Sequence, residues 1–285
     1  MIIFTLCAFC VGACIGSFLN VVILRVPLEQ SLWRKNSHCM SCHAPIPWYC
    51  NIPIFSYLIL RGKCKDCGAK FSSQYFWIEL ITGLIFAATF CYRFQEVIPF
   101  LMKGEWPAWN IARAAIFPWL ADVTLLSSLL AMTWIDARHF IIPFETTIPC
   151  FIVGLLITIF YPELHGCESV WLSLAEAGKS AALGAGLFLI VRWLGGLYFK
   201  REALGLGDVH LMIVLAMYMN WLNILLVIFL SALIGSVGGI TLKIIQRKSH
   251  WRFEVPYGPY IAAGAVVSYF WGAIILGWYL ELYVK

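Results

Sequence analysis

The sequence predicts an all-α, polytopic membrane protein of about eight transmembrane helices with a cytoplasmic zinc-binding loop. Three observations carry that reading. Of 285 residues, 61% are apolar and 16% aromatic, and the mean hydropathy is +0.83. Asp, Glu, Lys and Arg make up only 12%, about half the share of a soluble domain. Two Cys-x-x-Cys pairs stand inside the longest basic segment. A soluble fold of this length needs more charge to cover its surface, so lipid is the solvent. The formal charge of +5 is spread along the chain, which argues against nucleic acid as a partner.

A span needs roughly 20 apolar residues. Residues 1–24 hold no charge before Arg25 and have no basic region ahead of them, so they read as a retained helix and not as a cleaved signal. Further apolar segments lie at about 76–95, 116–135, 146–162, 179–198, 209–222, 223–243 and 259–280. Only the polar turn around Asn220 and Asn223 separates the sixth from the seventh. With the N-terminus outside, fifteen of the twenty basic residues fall inside, leaving Arg93, Lys103, Arg113, Lys179 and Lys285 outside. That positive-inside bias puts both termini outside, in the periplasm of a Gram-negative cell. The chain reads as a single polytopic domain, 1–285, with an inside loop at 25–75. The outside loop at 96–115 carries Trp106, Pro107 and Trp109, which suit an interfacial belt. No internal repeat is evident.

The inside loop contains Cys39-Met40-Ser41-Cys42, then twenty-one residues, then Cys64-Lys65-Asp66-Cys67. Two such pairs supply the four thiolates of a tetrahedral zinc site at a usual spacing, and a loop too small for its own core gains a staple. Disulfides do not suit the reducing side of a membrane. A redox pair acting with a quinone needs no second Cys-x-x-Cys. His38 and His43 are substitute ligands of lower rank. Cys7, Cys10 and Cys14 lie in the first apolar stretch, where free cysteine packs as a small hydrophobe, and Cys50, Cys91, Cys150 and Cys167 show no paired spacing and read as packing residues.

Acids near a bilayer are costly, so each needs a reason. Asp136 follows the third span and Asp208, in Gly205-Leu206-Gly207-Asp208, precedes the sixth, so both meet the same membrane boundary. Two neighbouring carboxylates do not readily both ionise; one keeps a proton for the scissile carbonyl while the other activates water. Bare Gly205 and Gly207 leave room for a substrate backbone. Glu79 reads as an anchor near the inner boundary, and Asp122 lies near the outer end of the third span. Rival readings are a plain interfacial carboxylate, a two-metal site with His139 and His210, and an ion-coupled transporter, whose inverted repeat is missing here.

The chain resembles the prepilin peptidases, or type IV leader peptidases, over nearly its whole length. The matching motifs are Gly16-Ser17-Phe18-Leu19-Asn20-Val21-Val22-Ile23 with Arg25 and Pro27, the two cysteine pairs around Asn51-Ile52-Pro53, Leu60-Arg61-Gly62-Lys63-Cys64, Ile135-Asp136, Gly207-Asp208 and Val255-Pro256-Tyr257-Gly258-Pro259-Tyr260. The resemblance implies an inner-membrane GxGD-type aspartyl protease, its protease helices at 116–285. Such enzymes remove the basic leader of type IV prepilins or type II secretion pseudopilins, and many then methylate the new N-terminus with S-adenosylmethionine. By motif, Asp136 and Asp208 are the catalytic pair and Cys39, Cys42, Cys64 and Cys67 the zinc ligands. Gly205, Gly207, His210, Pro256, Gly258 and Pro259 are substrate-adjacent, and Arg61, Gly62 and Lys63 are the candidate methyltransferase loop. Departures from the family pattern are Phe144 in place of Asp, His210 in place of Lys and Tyr257 in place of Phe. Another GxGD intramembrane protease is the enzymatic rival. The oligomeric state is not encoded in any motif.

Overall fold

The uncharged run before Arg25 folds as one helix, α1 (Ile2–Arg25), and the rest of the apolar pattern is helical too. A computed structural model describes residues 1–32, 38–95, 97–103, 108–199, 204–246 and 256–284. Trp106, Pro107, Arg34, Lys35, Lys200, Arg201, Arg247, Lys248, Arg252, Val255 and Lys285 lie outside the described residues. In chain order come α2 (Phe55–Ile59), α3 (Gln74–Phe94), α4 (Ile98–Lys103), α5 (Ala108–Ile111), α6 (Phe117–His139), α7 (Phe144–Phe160), α8 (Val170–Phe199), α9 (Leu206–Ala216), α10 (Trp221–Gln246) and α11 (Gly258–Val284). Among the described residues there is no strand; the only ladder contacts are the isolated bridges His38 to Pro45 and Lys63 to Lys70.

Six helices, α1, α3, α6, α8, α10 and α11, are long and apolar enough to cross a membrane, and the protein is an integral membrane protein. The other two expected spans are shorter, 17 residues in α7 and 11 in α9. At 1.5 Å per residue, α9 reaches about 16 Å, half a hydrocarbon core. Its ends nevertheless match the ends of α7. The His210 ring meets that of Phe144, with centroids 4.7 Å apart, and the Met217 carbonyl accepts the Thr158 hydroxyl at 3.0 Å. The turn at 217–220 completes the length. Asn220, the ambiguous boundary in the sequence, accepts the Asn223 N–H at 3.0 Å, as a helix cap does, and so starts α10.

The chain divides into two compact units, Met1–Val123 and Thr124–Lys285. In the first, α1 lies against α3 at backbone distance. A Cβ on Gly12 would stand 2.7 Å from the Phe86 side chain, and one on Gly16 2.7 Å from Glu79 Cα. At the far end of α3, Arg93 grips Asp122 with two hydrogen bonds of 2.8 Å, and the aspartate is fully buried. In the second unit, α9 packs against α7 and α8, and α10 against α11. The Tyr218 hydroxyl, just past α9, donates to the Cys150 carbonyl at 2.7 Å and contacts Thr124 Oγ1 at 3.3 Å. That phenol ties α6, α7 and the end of α9 together. Gly154 makes the contact feasible, since a Cβ there would fall 2.6 Å from the Tyr218 ring.

Removing one partner of a buried ion pair leaves an uncompensated charge. Arg93→Met is expected to cost about 3–5 kcal/mol, read as a lowered melting temperature in detergent, and adding Asp122→Leu is expected to recover most of the loss. A single variant that melts like wild type would reject the pair as a determinant of stability.

Candidate active site and metal centre

Asp136 stands in the last turn of α6 and is 6% exposed. Its Oδ2 accepts the Gly258 N–H at 2.8 Å, so the carboxylate sits at the N-terminus of α11, where free N–H groups and the helix dipole favour an anion. The local sequence arranges this. Pro259, in the first turn, has no N–H to offer, and proline is tolerated there because that donor has no helical partner. Gly258 lets the acid come close: a Cβ would lie 2.7 Å from Oδ2.

Asp208 occupies the first turn of α9 and is 8% exposed. Its Oδ2 accepts the N–H of Gly205 at 3.2 Å, the carboxylate half of a capping box. The two acids are near enough for the charge of Asp136 to act on Asp208. Each is thus buried at the start of a helix, and each takes a glycine N–H.

The two glycines play different parts, and one of them serves an acid directly. Gly205 supplies the N–H, and the bare side of Gly207 is covered by Ile142, whose Cβ a Gly207 Cβ would approach to 2.9 Å. His210 packs on Phe144, which is itself 55% exposed, so the two departures from the family pattern form one ring pair. Tyr257 is the third departure. Its added hydroxyl lies 3.0 Å from Ser231 Oγ, and burial pushes its phenol above the usual range. Pro256 is half-buried before α11. His139, at the end of α6, is exposed. Arg192, counted in the sequence only as an inside charge, bonds the Leu204 carbonyl and so holds the residue that leads into Gly205; nothing in local spacing signals that contact.

In the first unit, the sulfurs of Cys39, Cys42, Cys64 and Cys67 all lie within 4.8 Å of one another. Cys39 and Cys64 are buried, whereas Cys42 and Cys67 are exposed. Cys39 Sγ and Cys67 Sγ are 3.8 Å apart, close to the edge of about 3.8 Å that a tetrahedron with Zn–S near 2.3 Å requires. Two equivalent knuckles present them. Cys39 N–H bonds Ala44 O at 3.0 Å and His43 N–H bonds Cys39 O at 2.9 Å; Cys64 N–H bonds Ala69 O at 2.8 Å and Gly68 N–H bonds Cys64 O at 3.0 Å. His43 and Gly68 take the same left-handed position, φ 58° and 70°. The loop therefore does contain a repeat, Cys-x-x-Cys-His-Ala and Cys-x-x-Cys-Gly-Ala, too short to register against the whole chain. His43 is a turn residue in it, stacked on His38 at 6.1 Å.

The backbone N–H groups of Cys42 and Ser41 pull the Cys39 thiol down to about 6. Cys42 goes up to about 12; the Ala44 N–H favours its thiolate, but lost hydration and the thiols of Cys67, Cys39 and Cys64 outweigh it. A cluster that ionises one thiol readily and resists the next fits a divalent cation, which is what would hold all four as thiolates. Arg61 and Gly62 make a tight turn at φ 52° and 66° beside the second knuckle. The Tyr57 hydroxyl lies 2.8 Å from where a Gly62 Cβ would be, and Lys63 bridges to Lys70. The other cysteines make no disulfide; Cys7, Cys10 and Cys14 are exposed along α1, and Cys150 is buried.

Residues 10–93 match the model of the bacterial peptidase A24 N-terminal domain, and residues 123–240 that of the type IV leader peptidase family. A prepilin leader peptidase/N-methyltransferase of Stutzerimonas stutzeri is 31% identical over 98% of this chain and 94% of its own. The chain belongs to the type IV leader peptidase family. Other relatives of this leader peptidase carry the same name. That of Myxococcus xanthus is 34% identical over 88% of this chain and 67% of its own, and that of Pseudomonas aeruginosa 30% identical over 98% and 94%. No solved structure matches the leader peptidase.

Two outcomes follow from these sites. Gly258→Ala pushes a methyl group into Asp136 and is expected to lower turnover by about a hundredfold with helical content unchanged by circular dichroism; wild-type turnover would contradict the seat described for Asp136. Cobalt added to the metal-free protein is expected to give the visible spectrum of a tetrahedral thiolate site at one metal per chain. Cys39→Ser with Cys64→Ser is expected to abolish it, and an unchanged spectrum would reject these ligands.

Proposed function

We propose that this leader peptidase uses Asp136 and Asp208 to cut the basic leader from type IV prepilins or type II secretion pseudopilins and then N-methylates the new N-terminal residue. The observation that carries the proposal is the pair of buried carboxylates, each seated at a helix N-terminus within electrostatic reach of the other. Such a pair titrates as a unit with one proton shared. The ionised member takes a proton from water as the oxygen attacks the scissile carbonyl, and the protonated member hydrogen-bonds the carbonyl oxygen. Collapse of the tetrahedral intermediate breaks the C–N bond, and the leaving amine takes a proton from the pair. The protease chemistry belongs to the helices of residues 116–285.

The charge distribution supports an inner-membrane protein with both termini in the periplasm and the acids at the cytoplasmic face, the side on which a Lys- and Arg-rich leader stays. Structural zinc at Cys39, Cys42, Cys64 and Cys67 staples the loop 25–75. S-adenosylmethionine supplies the methyl group of the second reaction, and the basic turn of Arg61, Gly62 and Lys63 suits the carboxylate of that molecule. The new amine must be neutral to act as nucleophile.

With a prepilin that carries its leader as substrate, Asp136→Asn and Asp208→Asn are each expected to slow cleavage by at least about 10²–10⁴-fold, followed by gel shift. Wild-type cleavage by either variant would sink the dyad. Mass measurement of the mature N-terminus with and without the methyl donor tests the second reaction.

A further inference from the structure

The first unit buries a second polar group that neither the metal cluster nor the aspartate pair uses. Glu79, 7% exposed, sits on an apolar helix, a costly place for a carboxylate in a bilayer. Its Oε2 accepts the Ile54 N–H at 2.7 Å, and the Ser17 side chain lies near the same carboxylate. Asn20, from α1, is 1% exposed. Its Nδ2 donates to the Tyr75 carbonyl at 3.1 Å, while its Oδ1 is buried without a hydrogen-bond partner. In an α-helix the Tyr75 carbonyl is the acceptor for the N–H four residues on, which is that of Glu79. Amide and carboxylate therefore share one turn of α3. One turn earlier, Phe76 packs on Tyr57, centroids 5.6 Å apart, and Tyr57 backs onto Gly62. Those two rings link the first turn of α3 to the basic turn of Arg61 and Lys63.

A tether for the Ile54 N–H alone needs an acceptor but no charge, and it does not explain an amide oxygen buried with nothing to accept. A cationic ligand carrying N–H donors answers both features. We propose that Glu79 and Asn20 bind the cationic methyl donor S-adenosylmethionine, Glu79 pairing with its positive charge and Asn20 Oδ1 accepting one of its N–H groups. This rests on the methyltransferase reading above.

The test is calorimetric titration of the purified full chain with S-adenosylmethionine, together with zinc content as the check that the loop is intact. Glu79→Gln keeps an oxygen for the Ile54 N–H and removes only the charge. It is expected to weaken donor binding by about tenfold to a hundredfold at unchanged zinc content, and Asn20→Ala is expected to weaken it by about fivefold or more. Wild-type affinity in both variants overturns the proposal. If Glu79→Gln loses zinc, Asn20→Ala decides, a weakened affinity supporting the site and an unchanged one rejecting it. Wild-type protein that neither binds the donor nor methylates a cut prepilin overturns the methyltransferase reading, and this site with it.

Discussion

The second unit turns on one hydrogen bond, from the Gly258 N–H to Asp136. A carboxylate at the edge of an apolar helix bundle has to be solvated by something, and here the solvent is the open end of another helix. That requirement fixes a chain of neighbours. α11 must begin where α6 ends, Pro259 must follow the glycine, and Tyr257 must turn the chain beside Ser231. Asp208 solves the same problem within its own helix, through Gly205. The charged groups of the site are held by backbone donors, which keep their positions without long side chains.

The fold was legible where hydrophobicity speaks by itself. α1, α3, α6, α10 and α11 fall close to the apolar segments, because a run of some twenty apolar residues has few other destinations. α8 starts at Val170, nine residues before the apolar segment assigned to it, because its first turns carry polar residues such as Ser173 and Glu176 that still face protein. Ser173 bonds the Thr158 carbonyl at 3.4 Å, and Glu176 receives the Trp221 N–H at 3.5 Å. Helix continuity there is set by packing partners, which no window over a single segment contains.

The site was legible at the level of residue types and less so at the level of contacts. The spacing of the four cysteines exposed the metal cluster at once. The duplicated knuckle stayed hidden because His43 stands in the place of Gly68, and a non-glycine at positive φ carries no signal unless the partner turn is compared. The two aspartates stood out through scarcity of charge. Arg192 did not, since its role is a single long-range bond to Leu204. Phe144 and His210 looked like separate departures from a pattern, and only three-dimensional contact shows them as one unit.

The shortness of α7 and α9 carries a mechanical consequence. At 1.5 Å per residue, α7 is about 25 Å long, less than the roughly 30 Å of hydrocarbon around it, and α9 needs a turn to keep pace. A helix shorter than the hydrocarbon is accommodated by thinner lipid, by side chains that reach the interface or by neighbouring helices, and α9, with most of its residues buried, relies on its neighbours. Both carboxylates stand at helix ends, Asp136 in the last turn of α6 and Asp208 in the first turn of α9. The proposed hydrolysis consumes one water for each bond cut, and the ends of membrane helices are where the polar interfacial region can supply it.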